Sequence, residues 1–359
     1  MSAVFGKNFK ITIFGESHSA AIGAVIDGIP AGSKIDIQRI QESMARRAPS
    51  ASPASTSRKE TDEFEILSGY LDGLTTGTPM SVMIKNKDMK SQDYKKTAHL
   101  MRPGHADFTG SMKYRGANDV RGGGHFSGRL TAPLVFAGSI AMQFLETHGI
   151  YVGAHIKSIA DVCDSSFVRF DAQAFREMEQ KELPLIDDAV GVKMIEKIKS
   201  ARVDGNSVGG TIECAVCGVP VGIGEPFFDS VESMLSHMMF SIPAVKGIEF
   251  GAGFEFAQMT GSEANDEPIV RHHKIEFITN HNGGINGGIS NGMPIVFRVV
   301  IKPTPSIIKM QNTVDMTTLK KCELQIQGRH DSCIVPRAVE VIKCAAAIVI
   351  ADLFLEANK

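Results

Sequence analysis

Gly15–Gly32 reads GESHSAAIGAVIDGIPAG, and Gly205–Gly222 reads GNSVGGTIECAVCGVPVG. Laid side by side without gaps, they share six of 18 positions: Gly15/Gly205, Ser17/Ser207, Ile22/Ile212, Gly28/Gly218, Pro30/Pro220 and Gly32/Gly222. A second pair follows in each half, TTGTPMSVMIK (Thr75–Lys85) and ISNGMPIVFRVVIK (Ile289–Lys302). Each half thus has a glycine-led strand, a GxPxG turn and a later strand. Repeated units of this kind bury a shared face against each other. The pattern implies one domain spanning residues 1–359, built from two similar halves, about 1–150 and 200–359. Chance likeness between Gly-Pro turns is the other reading.

Elements alternate between the two periods. Phe9–Phe14, Gly23–Asp27, Val82–Lys85, Thr211–Val219 and Pro294–Ile301 read as strands. Asp36–Arg47 reads as a helix capped by Asp36. Thr131–His148 reads as another, with Thr131 as cap, Pro133 in its first turn and Gly149 ending it. Asp229 and Glu232 form a capping-box pattern opening a helix to Phe240. Val335–Leu355 is apolar nearly all round, the mark of a buried helix. The Ser- and Pro-rich stretch 50–60 reads as a mobile loop.

Composition narrows the function classes. The 359 residues include 35 Gly, and the net charge is -2. No global basic field exists to attract nucleic acid or an anionic membrane, so anion binding must come from local clusters. No apolar run is long enough to span a bilayer, and Met1–Lys10 lacks the apolar core of a signal peptide. Six cysteines show no disulfide framework. Cys214 and Cys217 form a CxxC inside an apolar β-like run, with no second ligand pair, so they read as structural thiols rather than a metal site. A cytoplasmic, reducing location is expected.

Six segments combine permissive glycines with ionisable side chains. Gly15-Glu16-Ser17-His18 puts a histidine at the end of a strand. Arg102-Pro103-Gly104-His105-Ala106-Asp107 fixes another on a turn, between an arginine and a carboxylate. Both suit proton transfer near neutral pH. Arg121–Arg129 (RGGGHFSGR) carries three glycines between arginines, and a helix follows directly. Backbone N–H groups there can point at an anion. His281–Gly292 has doubled glycines that suit a loop lying against a flat ligand. Lys302-Pro303-Thr304-Pro305-Ser306 offers donors on a stiffened backbone, and Gly328-Arg329-His330-Asp331 precedes the last helix. These residues point to an enzyme that binds a phosphorylated or multiply anionic ligand and uses histidine acid–base chemistry.

Taken in order, GESH, RRxP, SQDY (Ser91–Tyr94), RPGHAD, RGGG, VKGIEFGAGF (Val245–Phe254), NHNGGINGGISNG, KPT and GRHDSC resemble the chorismate synthase family, from about Gly6 to Asp352. The resemblance implies an α+β fold, a β-α-β sandwich, and a homotetramer. It implies conversion of 5-enolpyruvylshikimate 3-phosphate (EPSP) to chorismate and phosphate, with reduced FMN and no net redox change. It assigns His18, His105 and Asp331 to catalysis. FMN falls to His125, Phe126, Ser127, Ala244, Gly287, Lys302, Pro303, Thr304, Pro305, Ser306 and Arg329. Arg46, Arg47, Arg58, Arg102, Arg129 and Arg337 fall to the anionic substrate, or to NADP in members that reduce their own flavin. No Rossmann fingerprint is present, so reduced FMN is expected from an external source.

The sequence departs from the family pattern at Ser19, Ala48, Ser50, Pro53, His125, Phe126, Gly128, Leu130, Pro243 and Pro305, mainly around the FMN contacts. A hydride-transferring flavin oxidoreductase and a flavin- or phosphate-binding protein are the rival readings.

Overall fold

The structure, a computed structural model, describes residues 3–49, 62–87, 99–326 and 331–359. The stretch 50–60, the SQDY motif, Arg58 and Arg329 therefore lie outside the described residues. The described residues include two five-stranded antiparallel sheets. In the first, β1 (Val4–Phe5), β2 (Lys10–Gly15), β3 (Ala21–Asp27), β4 (Phe64–Ser68) and β5 (Met80–Lys85) are ordered β1-β2-β3-β5-β4. In the second, β6 (Tyr151–Ile159), β7 (Val162–Cys163), β8 (Gly210–Cys217), β9 (Val245–Phe250) and β10 (Ile295–Ile301) are ordered β9-β10-β8-β6-β7.

The two sheets share one path. β2-β3-β5-β4 and β6-β8-β10-β9 are the same spatial order with the same antiparallel pairings. The GxPxG turns explain why the sequences echo. After β3, Gly32 N donates to Thr75 O at 2.8 Å, and Thr75 Oγ1 donates to Pro30 O at 2.6 Å. After β8, Gly222 N donates to Ser290 O at 3.0 Å, and Ser290 Oγ donates to Pro220 O at 2.6 Å. One turn, locked by one hydroxyl, is built twice.

Among the described residues, the α-helices of eight residues or more are α1 (Ile37–Arg47), α2 (Asp107–Tyr114), α3 (Thr131–Glu146), α4 (Ala172–Glu179), α5 (Asp188–Val203), α6 (Val231–Ser241) and α7 (Val335–Ala357). α3 packs on the first sheet, α7 on the second, and the two pack on each other. The alternating residues Ile22, Ala24 and Ile26 on β3, and Ile295, Phe297, Val299 and Ile301 on β10, turn their apolar faces into this layer. The result is a sheet–helix–sheet sandwich. The α3–α7 approach needs Gly138, because a Cβ there would lie 2.3 Å from Cys344 Cβ and 2.5 Å from its carbonyl.

Asp36 caps α1 as read, accepting from Gln38 N and Arg39 N. Two other caps differ from the reading. Ser230, not Asp229, caps α6, accepting from Ser233 N; Asp229 closes the 3-10 turn Phe227–Asp229 that precedes it. Thr131 is the first residue of α3, and its hydroxyl donates to Gly128 O. Two 3-10 turns, Gly124–Phe126 and Gly128–Leu130, separate the RGGG loop from α3, so that loop does not run directly into the helix. Cys214 and Cys217 point to opposite faces of β8, one into the main core and one into a satellite cluster with Phe167 and Phe175. They cannot share a metal. All six cysteines are free thiols. No helix among the described residues is long and apolar enough to cross a membrane.

α7 is buried, as its composition demands, yet it carries three buried charges. Asp352 accepts from the backbone N–H groups of Lys7, Asn8 and Phe9. Glu340 and Lys343 pair with each other at 2.9 Å. Glu340 also pairs with Arg46 of α1, and Lys343 with Glu179 of α4. Burial pushes the Glu340 carboxyl up, but Lys343 and Arg46 outweigh it and hold it down at about 2. A carboxyl depressed in the folded state contributes stability above its ordinary value, 4.5, and loses it as pH falls towards about 2. We predict that stability measured by urea unfolding falls across that window, and that Glu340→Gln removes this part of the acid limb.

Candidate active site

β2 ends at Gly15, and the chain turns at once to pair again through β3. The turn Glu16–Ser19 carries His18. Ser19 N and Oγ both donate to Glu16 O, at 3.1 and 2.9 Å. His18 Nδ1 lies 3.1 Å from Ser17 Oγ. Ser17 is in turn tied to the glycine loop: its N donates to Gly124 O, and its hydroxyl to Arg121 O. Gly122, at φ +62, must be glycine, because a Cβ would lie 2.4 Å from His18 Cε1. Nearby, Arg121 hydrogen-bonds Asp119 and holds its carboxyl below the usual range.

The RPGHAD turn docks on the other side of this loop. Arg102 grips Asp107 through Nε and Nη2, at 2.9 and 2.6 Å, and donates Nη2 to Gly122 O at 2.7 Å. Burial would raise the Asp107 carboxyl, but the Arg102 contacts prevail and lower it. Such a two-point guanidinium–carboxylate contact fixes geometry as well as charge. His105 Nε2 lies 2.8 Å from Ser306 Oγ, and Lys302 Nζ donates to Gly104 O at 2.8 Å. The end of β10 in the second half therefore meets the histidine loop of the first. Beside it, Pro103, Gly104, Thr304 and Gln311 line a cleft of about 270 Å³. Thr304 Oγ1 and Gln311 Oε1 are buried without a hydrogen-bond partner.

A third cluster gathers guanidiniums. Asp62 pairs with Arg47 through one carboxylate oxygen and with Arg129 through the other, and its side chain is 1% exposed. Arg47 Nε also donates to Thr131 Oγ1. Arg337 Nε donates to Arg47 O, and its Nη1 to Asp331 Oδ2 at 2.8 Å. Burial pulls the Arg47 guanidinium below its usual range; Asp62 opposes this, and Arg337 and Arg129 add to it. Among the described residues, Arg47, Arg129 and Arg337 gather around two carboxylates, Asp62 and Asp331. Arg129 Nε donates to Asn86 Oδ1, and Asn86 reaches the His18 turn. The three clusters are thus one hydrogen-bonded assembly.

A family model described as chorismate synthase matches residues 9–355. The chorismate synthase of Dehalococcoides mccartyi is 46% identical over 358 residues, covering 100% of this chain and 98% of the relative. That of Korarchaeum cryptofilum is 44% identical over 349 residues, covering 97% and 96%. A solved structure of chorismate synthase matches with a TM-score of 0.76 at 28% identity, over 98% of this chain and 93% of that one. The chain belongs to the chorismate synthase family. It is a carbon–oxygen lyase acting on phosphates.

Of the residues that the sequence singled out in this chorismate synthase chain, His18, His105, Asp331, Arg47, Arg102, Arg129, Arg337, Lys302 and Ser306 fall in the connected assembly. His125 Nδ1 lies 2.8 Å from Gly15 O, and Ser127 Oγ accepts from Arg129 N. Both stand beside the His18 turn. Phe126 leans on Tyr114 and covers Gly110. Ala244, at a φ of +76 rare for alanine, accepts from Lys302 N at 2.9 Å. Two residues are placed apart. Arg46 is committed to Glu340, and Gly287 sits on the hairpin that meets the start of α6.

The residues fit a flavin on two observations. Among the described residues, Thr304 Oγ1 and Asp331 Oδ1 are buried and lack hydrogen-bond partners. The KPTPS backbone borders an open cleft.

Asp62 and Asn86 were not read from the sequence. Each is a single polar residue just outside a quoted motif; only contact gives it a role. Removing one member of a buried ion cluster strands the others at about 3–5 kcal/mol. Asp62→Ala is expected to lose stability of that order in urea unfolding, since it leaves two buried guanidiniums without their shared carboxylate.

Proposed function

We propose that this chain converts EPSP to chorismate and phosphate by 1,4-anti elimination, using reduced FMN. The observation that carries the reading is His18, held beside Ser17 and Gly122 within one hydrogen-bonded assembly with Arg47, Arg129 and Arg337. The C–O bond to phosphate breaks, the C–H bond across the ring breaks, and a new double bond forms. Phosphate leaves with the bond's electron pair, and a proton departs to a base, so nothing is oxidised or reduced overall. His18 gives a proton to the departing phosphate. Arg129, Arg337 and their neighbours hold the anionic groups of the substrate, which guanidiniums can grip at two points. Asp331 Oδ1, buried without a partner, is the acceptor that assists the leaving proton.

Lys302, Thr304, Ser306 and the His125–Ser127 segment would hold the flavin. When bound, it supplies electron density for C–O cleavage and recovers it as the C–H bond breaks. His105, fixed against Ser306, keeps the cofactor in its working protonation state. This reading places the protein at the last common step of aromatic amino-acid biosynthesis, in the cytoplasm, as a homotetramer fed with reduced FMN from another source. The free thiols agree with a reducing compartment.

Mixed anaerobically with EPSP and photoreduced FMN, the protein should release chorismate and phosphate in equal amounts. Many turnovers per flavin and no net flavin oxidation are expected. The same mixture in air, with NADPH and oxidised FMN, should stay inactive. Net oxidation of flavin would favour a hydride-transferring oxidoreductase, and flavin binding without product a binding protein. His18→Ala and His105→Ala are each expected to lower turnover by roughly ten- to a thousandfold, with FMN binding little changed; fluorescence titration of FMN separates the two effects.

A further inference from the structure

Asn86 lies one residue beyond β5, and every hydrogen-bonding group of its side chain is engaged. Its Nδ2 donates to Glu16 O at 3.1 Å and to Ser19 O at 2.8 Å. Its Oδ1 accepts from Arg129 Nε at 3.1 Å. Its backbone N donates to Ala20 O at 3.2 Å. The orientation of the amide is forced. Turned over, the NH2 group would face a guanidinium N–H, and the oxygen would face two carbonyls.

The two carbonyls that it holds flank His18. Asn86 therefore clamps the turn on both sides of the histidine while its third contact takes hold of Arg129, which Asp62 couples to Arg47. No other side chain type of this size offers two donors and an acceptor in one plane. An aspartate would keep the acceptor for Arg129 but set a carboxylate against two carbonyl oxygens.

We propose that Asn86 is a positioning residue for His18, setting the imidazole relative to the arginine cluster that holds the substrate's anionic groups. The proposal rests on the general-acid role given to His18 above. Displacement of a reacting group by about 1 Å can cost on the order of a hundredfold in rate, so a side chain that never touches substrate can still govern turnover.

A double-mutant cycle tests it. Asn86→Asp, matched in size, and Asn86→Ser, smaller and uncharged, are each made alone and with His18→Ala. Anaerobic turnover of EPSP with photoreduced FMN is then measured. Either Asn86 variant alone should lower kcat about tenfold or more, with KM changed less than about twofold. In the His18→Ala background the same substitution should change kcat by less than about twofold, because the group that it positions is gone. Losses that multiply, or a raised KM with kcat unchanged, would overturn the proposal; the latter would mean that Asn86 serves Arg129 and the anion grip instead. Failure of the underlying reading looks different. There the unaltered protein makes no chorismate, or His18→Ala alone leaves turnover intact.

Discussion

The contact between α3 and α7 is the constraint on which the rest of the molecule depends. Each helix serves one sheet, and the sandwich closes only if their backbones approach at Gly138 and Cys344. Helix propensity would favour alanine over glycine by about 1 kcal/mol. The crowding that a methyl group would cause against a backbone carbonyl is worth more, because overpacking a dense core costs about 1–3 kcal/mol. Packing outweighs propensity at that position. With the helices this close, charges on α7 have no route to water. Glu340, Lys343 and Asp352 are tolerated because each meets a partner from another element.

That closure also places the chemistry. β2, β5 and β10 end at Gly15, Lys85 and Ile301, where the His18 turn, Asn86 and the Lys302–Ser306 segment begin. Sheets rigid enough to fix strand ends fix the loops leaving them. His18 comes from the first half and Ser306 from the second, and His105 joins the two through its contact with Ser306. The arginine cluster lies where α1 ends, α3 begins and α7 begins, so it senses the position of all three helices.

Much of this was legible in the sequence. The paired GxPxG turns were legible, because a locked turn needs glycine and proline at fixed spacing whatever surrounds it. The buried helices were legible from their apolar faces, and the histidine loops from glycines beside ionisable groups. The caps of α3 and α6 were misread by one residue, since Thr131 already lies in the first turn of its helix and Asp229 belongs to the 3-10 turn before its own. The arginines were found as a class, but not sorted: Arg46 and Arg47 are neighbours in sequence, yet one enters the buried ion network with Glu340 and the other meets Asp62.

Local rules, then, determined the strands, the turns, the central helices and the histidines on glycine-bounded loops, because each depends on residues within a few positions of one another. Tertiary structure alone decided that Asp62 joins Arg47 to Arg129, that His105 meets Ser306 across 201 positions, and that Asn86 clamps the His18 turn. A hydrogen bond between distant residues leaves no periodicity and no spacing in the chain. It exists only after the two sheets have been brought together over their shared helices.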